Sequence, residues 1–350
     1  MKHSFYSEFN ILFNIFLSLS NMMFMFTLSS GVVMAISAPS WFMAWVGLEL
    51  NLMSFIPIIL TMNNRYSSEA ALKYFLIQAL GSSFIIFSGS LMLMSSNLSF
   101  FMILSALLLK LGAAPFHFWF PQIMEGLTWP RLIILMTVQK IAPLSLILLL
   151  MPYQQTYTMV VGSAILSAIV GSIMGINQTS LRKIMAFSSI NHMAWMLAAA
   201  ILSETMMFMY FLFYCFISSS VALIFHNHQA LYISNLVDKK ESSSISNFTM
   251  FAALFSLGGL PPFTGFIPKW FIIQELNNFN MFILFTVLLS CALITLYFYL
   301  RVAIPFLTFS SPKFKSSLTI YFNRTNLFST PLIIFMNVFG LMIPSLFMVI

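Results

Sequence analysis

An all-α polytopic membrane protein with about eleven transmembrane helices is the fold class that this sequence predicts, on three observations. Of its 350 residues 60% are hydrophobic and only 7% charged, against roughly 25% charged in soluble domains. The apolar runs recur about every 25 to 30 residues, and many reach the ~20 residues that a helix needs to cross the hydrocarbon core. They lack the alternation and the half-length of membrane-barrel strands. One membrane domain, 1–350, is expected, with no soluble module.

The predicted spans lie near 11–36, 40–61, 70–95, 98–119, 128–150, 157–176, 181–203, 205–228, 246–275, 279–304 and 328–348. Connections are short except near 229–245 and 306–327, which are rich in Ser, Asn and Lys and read as surface loops. Lys2 precedes the first apolar run, but Asn14 interrupts it and no small-residue cleavage site follows, so a removed signal peptide is not expected.

Charge supports this count. If the spans alternate in direction, Lys2, Arg65, Arg131, Arg182, Lys183, Lys239, Lys240, Lys313, Lys315 and Arg324 share one face, and the opposite loops hold no Lys or Arg. By the positive-inside rule the basic face is the cytoplasm-like side, and the C-terminus ends on the other. The net charge of +7 is thus a topology signal, and no nucleic-acid partner is invoked.

Four charges remain within spans: Glu49 in WVGLELNLMSF, Lys110 in LLLKLGAAPFHFWFP, Lys140 in TVQKIAPL and Lys269 in GFIPKWF. A lysine at the bilayer centre costs ~2.5 to 3.5 kcal/mol on insertion scales, so three together cost roughly 10 kcal/mol. Lys73 and Arg301 lie close enough to span ends to snorkel; Lys110 and Lys140 do not.

Two of these charges stand beside helix breaks. LGAAPFHFWFP (111–121) is echoed 146 residues later by LGGLPPFTGFIP (257–268). Proline removes a helical hydrogen bond and clashes with the carbonyl four residues earlier. Pro115, and Pro261 with Pro262, are therefore expected to break spans four and nine, and the freed carbonyls must be buried in protein or line a wet cavity.

An odd number of crossings separates the two breaks. Residues 11–150 and 157–304 then form two five-helix repeats of opposite direction, with 328–348 left over. Inverted repeats with broken helices and midplane charges suit ion movement. Burial disfavours an ammonium and a nearby carboxylate restores it, so a lysine that gains and loses such a partner can carry a proton. Glu49 is expected to pair with Lys110, with transfer through water by Lys140 toward Lys269.

WVGLELNLMSFIP, SSEAALKYFL, LLLKLGAAPFHFWFP, QKIAPL, GINQTSLRKIMAFSSINHMAW and SLGGLPPFTGFIPKW closely resemble the chain 2 family of mitochondrial NADH:ubiquinone oxidoreductase (respiratory complex I) of animals, insects in particular. The resemblance runs from about residue 30 to 305. It implies an antiporter-like, proton-translocating subunit of the membrane arm, in the mitochondrial inner membrane. The basic loops and N-terminus would face the matrix, and the C-terminus the intermembrane space.

The resemblance also places Glu49 as the glutamate of the GLE motif, partner of Lys110, with Lys140 and Lys269 as the further proton-transfer lysines. Eleven spans match the animal form, which resembles the fourteen-span bacterial form without its first three helices. Val138 stands where the family pattern has Trp, the first fifteen or so residues precede the family's usual start, and likeness after Arg301 is loose. The implied enzyme is the whole proton-translocating reductase. NADH, FMN, iron–sulfur clusters and ubiquinone belong to partner subunits, and other antiporter-like chains and lipid are the expected neighbours.

His117 beside the first break, and His192 with Ser188 in span seven, are candidates for relay or pore lining; the plainer readings are repair of a freed carbonyl and interhelical hydrogen bonding. GSIMG (171–175) reads as a helix-packing motif. Cys215 and Cys291 in apolar runs point to neither disulfide nor metal, His226 and His228 sit on different helix faces, and no phosphate loop is present, so no metal or cofactor is expected in this chain. The alternative function is a free-standing secondary cation/proton antiporter.

Overall fold

The computed structural model describes residues 19–60, 64–92, 98–238, 244–308 and 337. Lys2, Lys239, Lys240, Lys313, Lys315, Arg324 and all of the last predicted span except Asn337 lie outside them. Among the described residues every regular element is an α-helix, with one isolated bridge between Ser180 and Tyr232.

The helices are α1 Leu19–Ile36, α2 Trp41–Ile59, α3 Arg65–Met92, α4 Leu98–Leu111, α5 Trp119–Gly126, α6 Trp129–Met136, α7 Val138–Leu150, α8 Gln154–Ile176, α9 Leu181–Leu202, α10 Glu204–Asn227, α11 Ile233–Asp238, α12 Ser244–Gly258, α13 Phe266–Asn278 and α14 Phe282–Thr308. Among the described residues seven spans are apolar and long enough to cross a membrane, counting α6 and α7 as one. Spans four and nine are instead pairs of half-helices, α4 with α5 and α12 with α13, as their prolines predict. An interruption that the sequence did not announce splits span five at Thr137.

Two compact units make up the chain. The first holds residues 1–111 and 126–156, and the second 112–125 and 157–350. In the first unit α1 packs on α2, α2 on α3, α3 on α4, α4 on α7 and α7 on α1, a closed ring of five helices. In the second unit α9 packs against α10, α13 and α14, and almost all of its side chains from Leu181 to Ala200 are buried.

Close backbone approach sets these contacts. A Cβ on Gly47 would lie 2.6 Å from the Ala35 nitrogen, and one on Gly31 2.9 Å from the Gly47 carbonyl oxygen. Small residues therefore let α1 and α2 touch, the usual currency of helix association where lipid is as apolar as the side chains. The GSIMG glycines act likewise in the second unit, Gly171 against Asn191 of α9 and Gly175 against Phe298 of α14.

Gly47→Ala is expected to lower stability by about 1 to 3 kcal/mol, the usual cost of overpacking, read as a fall in the thermal midpoint. Gly89→Ala, where an added Cβ meets nothing within 4 Å, is expected to leave the midpoint unchanged or raise it slightly, because Ala favours helix by about 1 kcal/mol.

Candidate functional site

Each broken helix ends in the same way. The last residue of α4 is Leu111 and the last of α12 is Gly258, and each stands four residues before a proline, Pro115 or Pro262. That proline would clash with its carbonyl if the helix continued. The next residue is a glycine in the left-handed region in both, Gly112 at φ +70° and Gly259 at φ +77°, a conformation that costs a side-chain-bearing residue roughly 1 to 2 kcal/mol. The structural register of the repeat is therefore 147 residues, Gly112 with Gly259, one more than the matching of Leu111 with Leu257 suggests.

Breaking a helix frees its last carbonyls, and the lysines stand where those carbonyls are. Lys110 occupies the last turn of α4, 6% exposed, with its stem packed along Gly81 of α3. Its own carbonyl accepts from Gln78 Nε2 at 3.3 Å. Lys269, 5% exposed, reaches back from α13 and donates from Nζ to the Gly258 carbonyl at 2.8 Å. Lys110 is thus a residue of the last, negative turn of its half-helix, and the Lys269 ammonium sits on the corresponding end of the other, a position that favours a cation by up to ~2 kcal/mol when partly buried.

Around this shared arrangement the units differ. In the first, Glu49 on α2 is the acidic group whose charge acts on Lys110. The two form no direct ion pair, and Glu49 Oε2 is buried without a hydrogen-bond partner. Lys140, 2% exposed, lies one turn past the interruption at Thr137, where its N–H donates to the Thr137 carbonyl at 3.1 Å. Tyr74 donates to the neighbouring Gln139 Oε1 at 3.1 Å. Glu49, Lys110 and Lys140 therefore sit on three of the five ring helices, α2, α4 and α7.

In the second unit Lys269 Nζ also lies 5.7 Å from the centre of the Trp195 ring. One turn earlier on α9, His192 Nδ1 is 2.8 Å from the Tyr210 hydroxyl, and its ring is beside Tyr214. Ser188 donates to the Met185 carbonyl within its own helix, and the buried Tyr299 hydroxyl points at Ser188 without a hydrogen bond of normal geometry. Tyr210, Tyr214 and Tyr299 come from α10 and α14, and nothing in their local sequence sets them apart from other span tyrosines.

His117 is also buried, and its Nδ1 lies 3.2 Å from the Pro115 carbonyl, the backbone-repair geometry. Thr264 fills the equivalent position in the second break. Its N–H donates to the Asn337 carbonyl at 3.2 Å, while the Asn337 side chain accepts from Ser256 at 2.7 Å and donates to Ser220 at 3.3 Å. A residue of the last predicted span thus holds the second break together. Among the described residues no three His, Cys, Asp or Glu side chains are grouped to hold a metal.

The family model for the NADH:quinone oxidoreductase/Mrp antiporter membrane region matches residues 38–295. NADH-ubiquinone oxidoreductase chain 2 of Anopheles gambiae is 44% identical over 341 residues, covering 95% of this chain and 99% of the relative. The same chain of Aedes aegypti is 43% identical, covering 94% and 98%. A chain of respiratory complex I from Thermus thermophilus superimposes with a TM-score of 0.78 at 20% identity, covering 91% of this chain and 76% of that one.

The two glycines at the second break make a paired test. Gly259→Ala must adopt a left-handed φ and push its Cβ to within 2.8 Å of Lys269 Cδ, so a stability loss above the ~1 to 2 kcal/mol backbone cost is expected. Gly258→Ala meets its nearest neighbour at 3.6 Å and is expected to be tolerated, with thermal midpoints separating the two.

Proposed function

We propose, for a chain that belongs to the NADH:quinone oxidoreductase/Mrp antiporter membrane family, that it moves protons through its own buried lysines. It is a core membrane-arm subunit of complex I, a multi-pass protein of the mitochondrial inner membrane, in company with other antiporter-like subunits. Oxidation of NADH and reduction of ubiquinone take place in partner subunits, which hold the nicotinamide, flavin, iron–sulfur and quinone sites. The basic loops and N-terminus face the matrix and the C-terminus the intermembrane space, as the one-sided distribution of Lys and Arg supports.

The observation that carries this reading is the burial of three lysines to 6% exposure or less, Lys140 in a helix of membrane-crossing length and Lys110 and Lys269 on the two broken helices. A charge that costs ~2.5 to 3.5 kcal/mol to insert is kept at such a depth for function. In the first unit Glu49 supplies a carboxylate whose field favours the charged form of Lys110. Withdrawal of that field releases the proton, and its return takes one up, with Lys140 as the next carrier on α7. In the second unit Lys269 is the carrier, held by the Gly258 carbonyl and the Trp195 face, with the Ser188, His192 and Tyr210 cluster as the polar surface nearby. The two five-helix repeats, 11–150 and 157–304, run in opposite directions through the membrane.

Lys140→Met in the assembled complex is expected to leave NADH oxidation measurable and lower the protons pumped per electron. Unchanged pumping at normal assembly would overturn the relay. The isolated chain in liposomes is expected to show no cation/proton exchange, whereas exchange comparable to a dedicated transporter would favour the free-standing antiporter.

A further inference from the structure

Arg131 counts in the sequence as a loop charge of the basic face, yet it is buried, with 6% exposure. It lies in the first turn of α6, and its Nε and Nη1 are buried without a hydrogen-bond partner. Three other cations near span ends have partners, Lys73 with Glu69, Lys183 with Glu125 and Arg301 with the Ile176 carbonyl. Arg131 forms no ion pair with any described carboxylate. A buried, unpaired guanidinium is the arrangement that proteins avoid unless a counter-ion completes it.

Arg131 lines a small, open pocket within the first unit. Asn21, Thr128 and Arg131 supply its polar groups, and Met25, Ile58 and Ile134 supply apolar wall. Thr128, which precedes α6, makes no side-chain cap to it. Asn21 stands near the start of α1, Ile58 near the end of α2 and Arg131 near the start of α6. In a chain whose spans alternate, all three lie at one membrane face, the basic one.

We infer that this pocket binds the phosphate of an anionic phospholipid of the surrounding membrane. The planar guanidinium grips phosphate oxygens with paired donors. One negative headgroup balances the one unpaired positive charge, and the apolar wall takes the first part of an acyl chain. Basic pockets between helices on the matrix or cytoplasmic side suit such headgroups. A soluble anion would neutralise the charge but leave Met25, Ile58 and Ile134 exposed within the pocket, and so a lipid is the better occupant.

The test uses the whole complex, purified, stripped of loosely held lipid and re-supplied with phosphatidylglycerol, phosphatidylcholine or inorganic phosphate. Native mass spectrometry counts retained lipid, and thermal midpoints follow stability. Arg131→Gln is expected to retain about one fewer anionic phospholipid per complex and to lose part of the phosphatidylglycerol shift. Ile134→Trp, which fills the pocket and leaves the guanidinium, is expected to do the same, and Arg131→Lys to recover a fraction. Equal retention by wild type and both pocket variants would overturn the site. So would a full response to inorganic phosphate alone, or a partner subunit's carboxylate seated on Arg131 in the assembled complex.

Discussion

A cation held against the C-terminal end of a broken helix is the interaction on which the rest depends. A break inside a membrane leaves carbonyls that lipid cannot serve, and a lysine inside a membrane needs acceptors that lipid cannot give. Bringing the two together answers both demands. In the second unit this is direct, Lys269 Nζ on the Gly258 carbonyl. In the first unit Gln78 serves the Lys110 carbonyl, and the lysine, in the last turn of its half-helix, is acted on by the charge of Glu49.

This difference sets the two lysines apart in the proposed relay. Lys269 has a fixed backbone partner and an aromatic face, so its charge is anchored. Lys110 instead faces the charge of Glu49, a half-buried residue whose Oε2 has no hydrogen-bond partner and which forms no ion pair with it. Small changes in the Glu49 to Lys110 separation alter the balance between charged and neutral lysine, because Coulomb energies are steep where the dielectric is low. In the proposed relay the first unit is the one that responds to neighbouring subunits, with Lys140, across the α4 to α7 packing, as its next carrier.

Much of this was legible in the sequence, because a membrane chain makes polar residues conspicuous. Proline and glycine announced both breaks, and isolated charges singled out Glu49, Lys110, Lys140 and Lys269 as candidates, of which the three lysines are buried. The register of the repeat was misleading by one residue, because identity favours the first glycine of LGGL whereas the left-handed turn needs the second. The interruption at Thr137 carried no glycine and no proline at its own position; Pro143, six residues on, was its nearest sign. Tyr210, Tyr214 and Tyr299 gather around α9 only through tertiary packing, and the burial of Arg131 could not be told from its place at the start of a span.

The central claim is that Glu49, Lys110 and Lys140 exchange protons through water within the five-helix ring of the first unit. A structure of the assembled complex at a resolution that shows ordered water tests it most directly. Continuous waters joining Glu49 to Lys110 and Lys110 to Lys140 are the result predicted. A dry gap between these groups, filled with packed apolar side chains in every state of turnover, would contradict it.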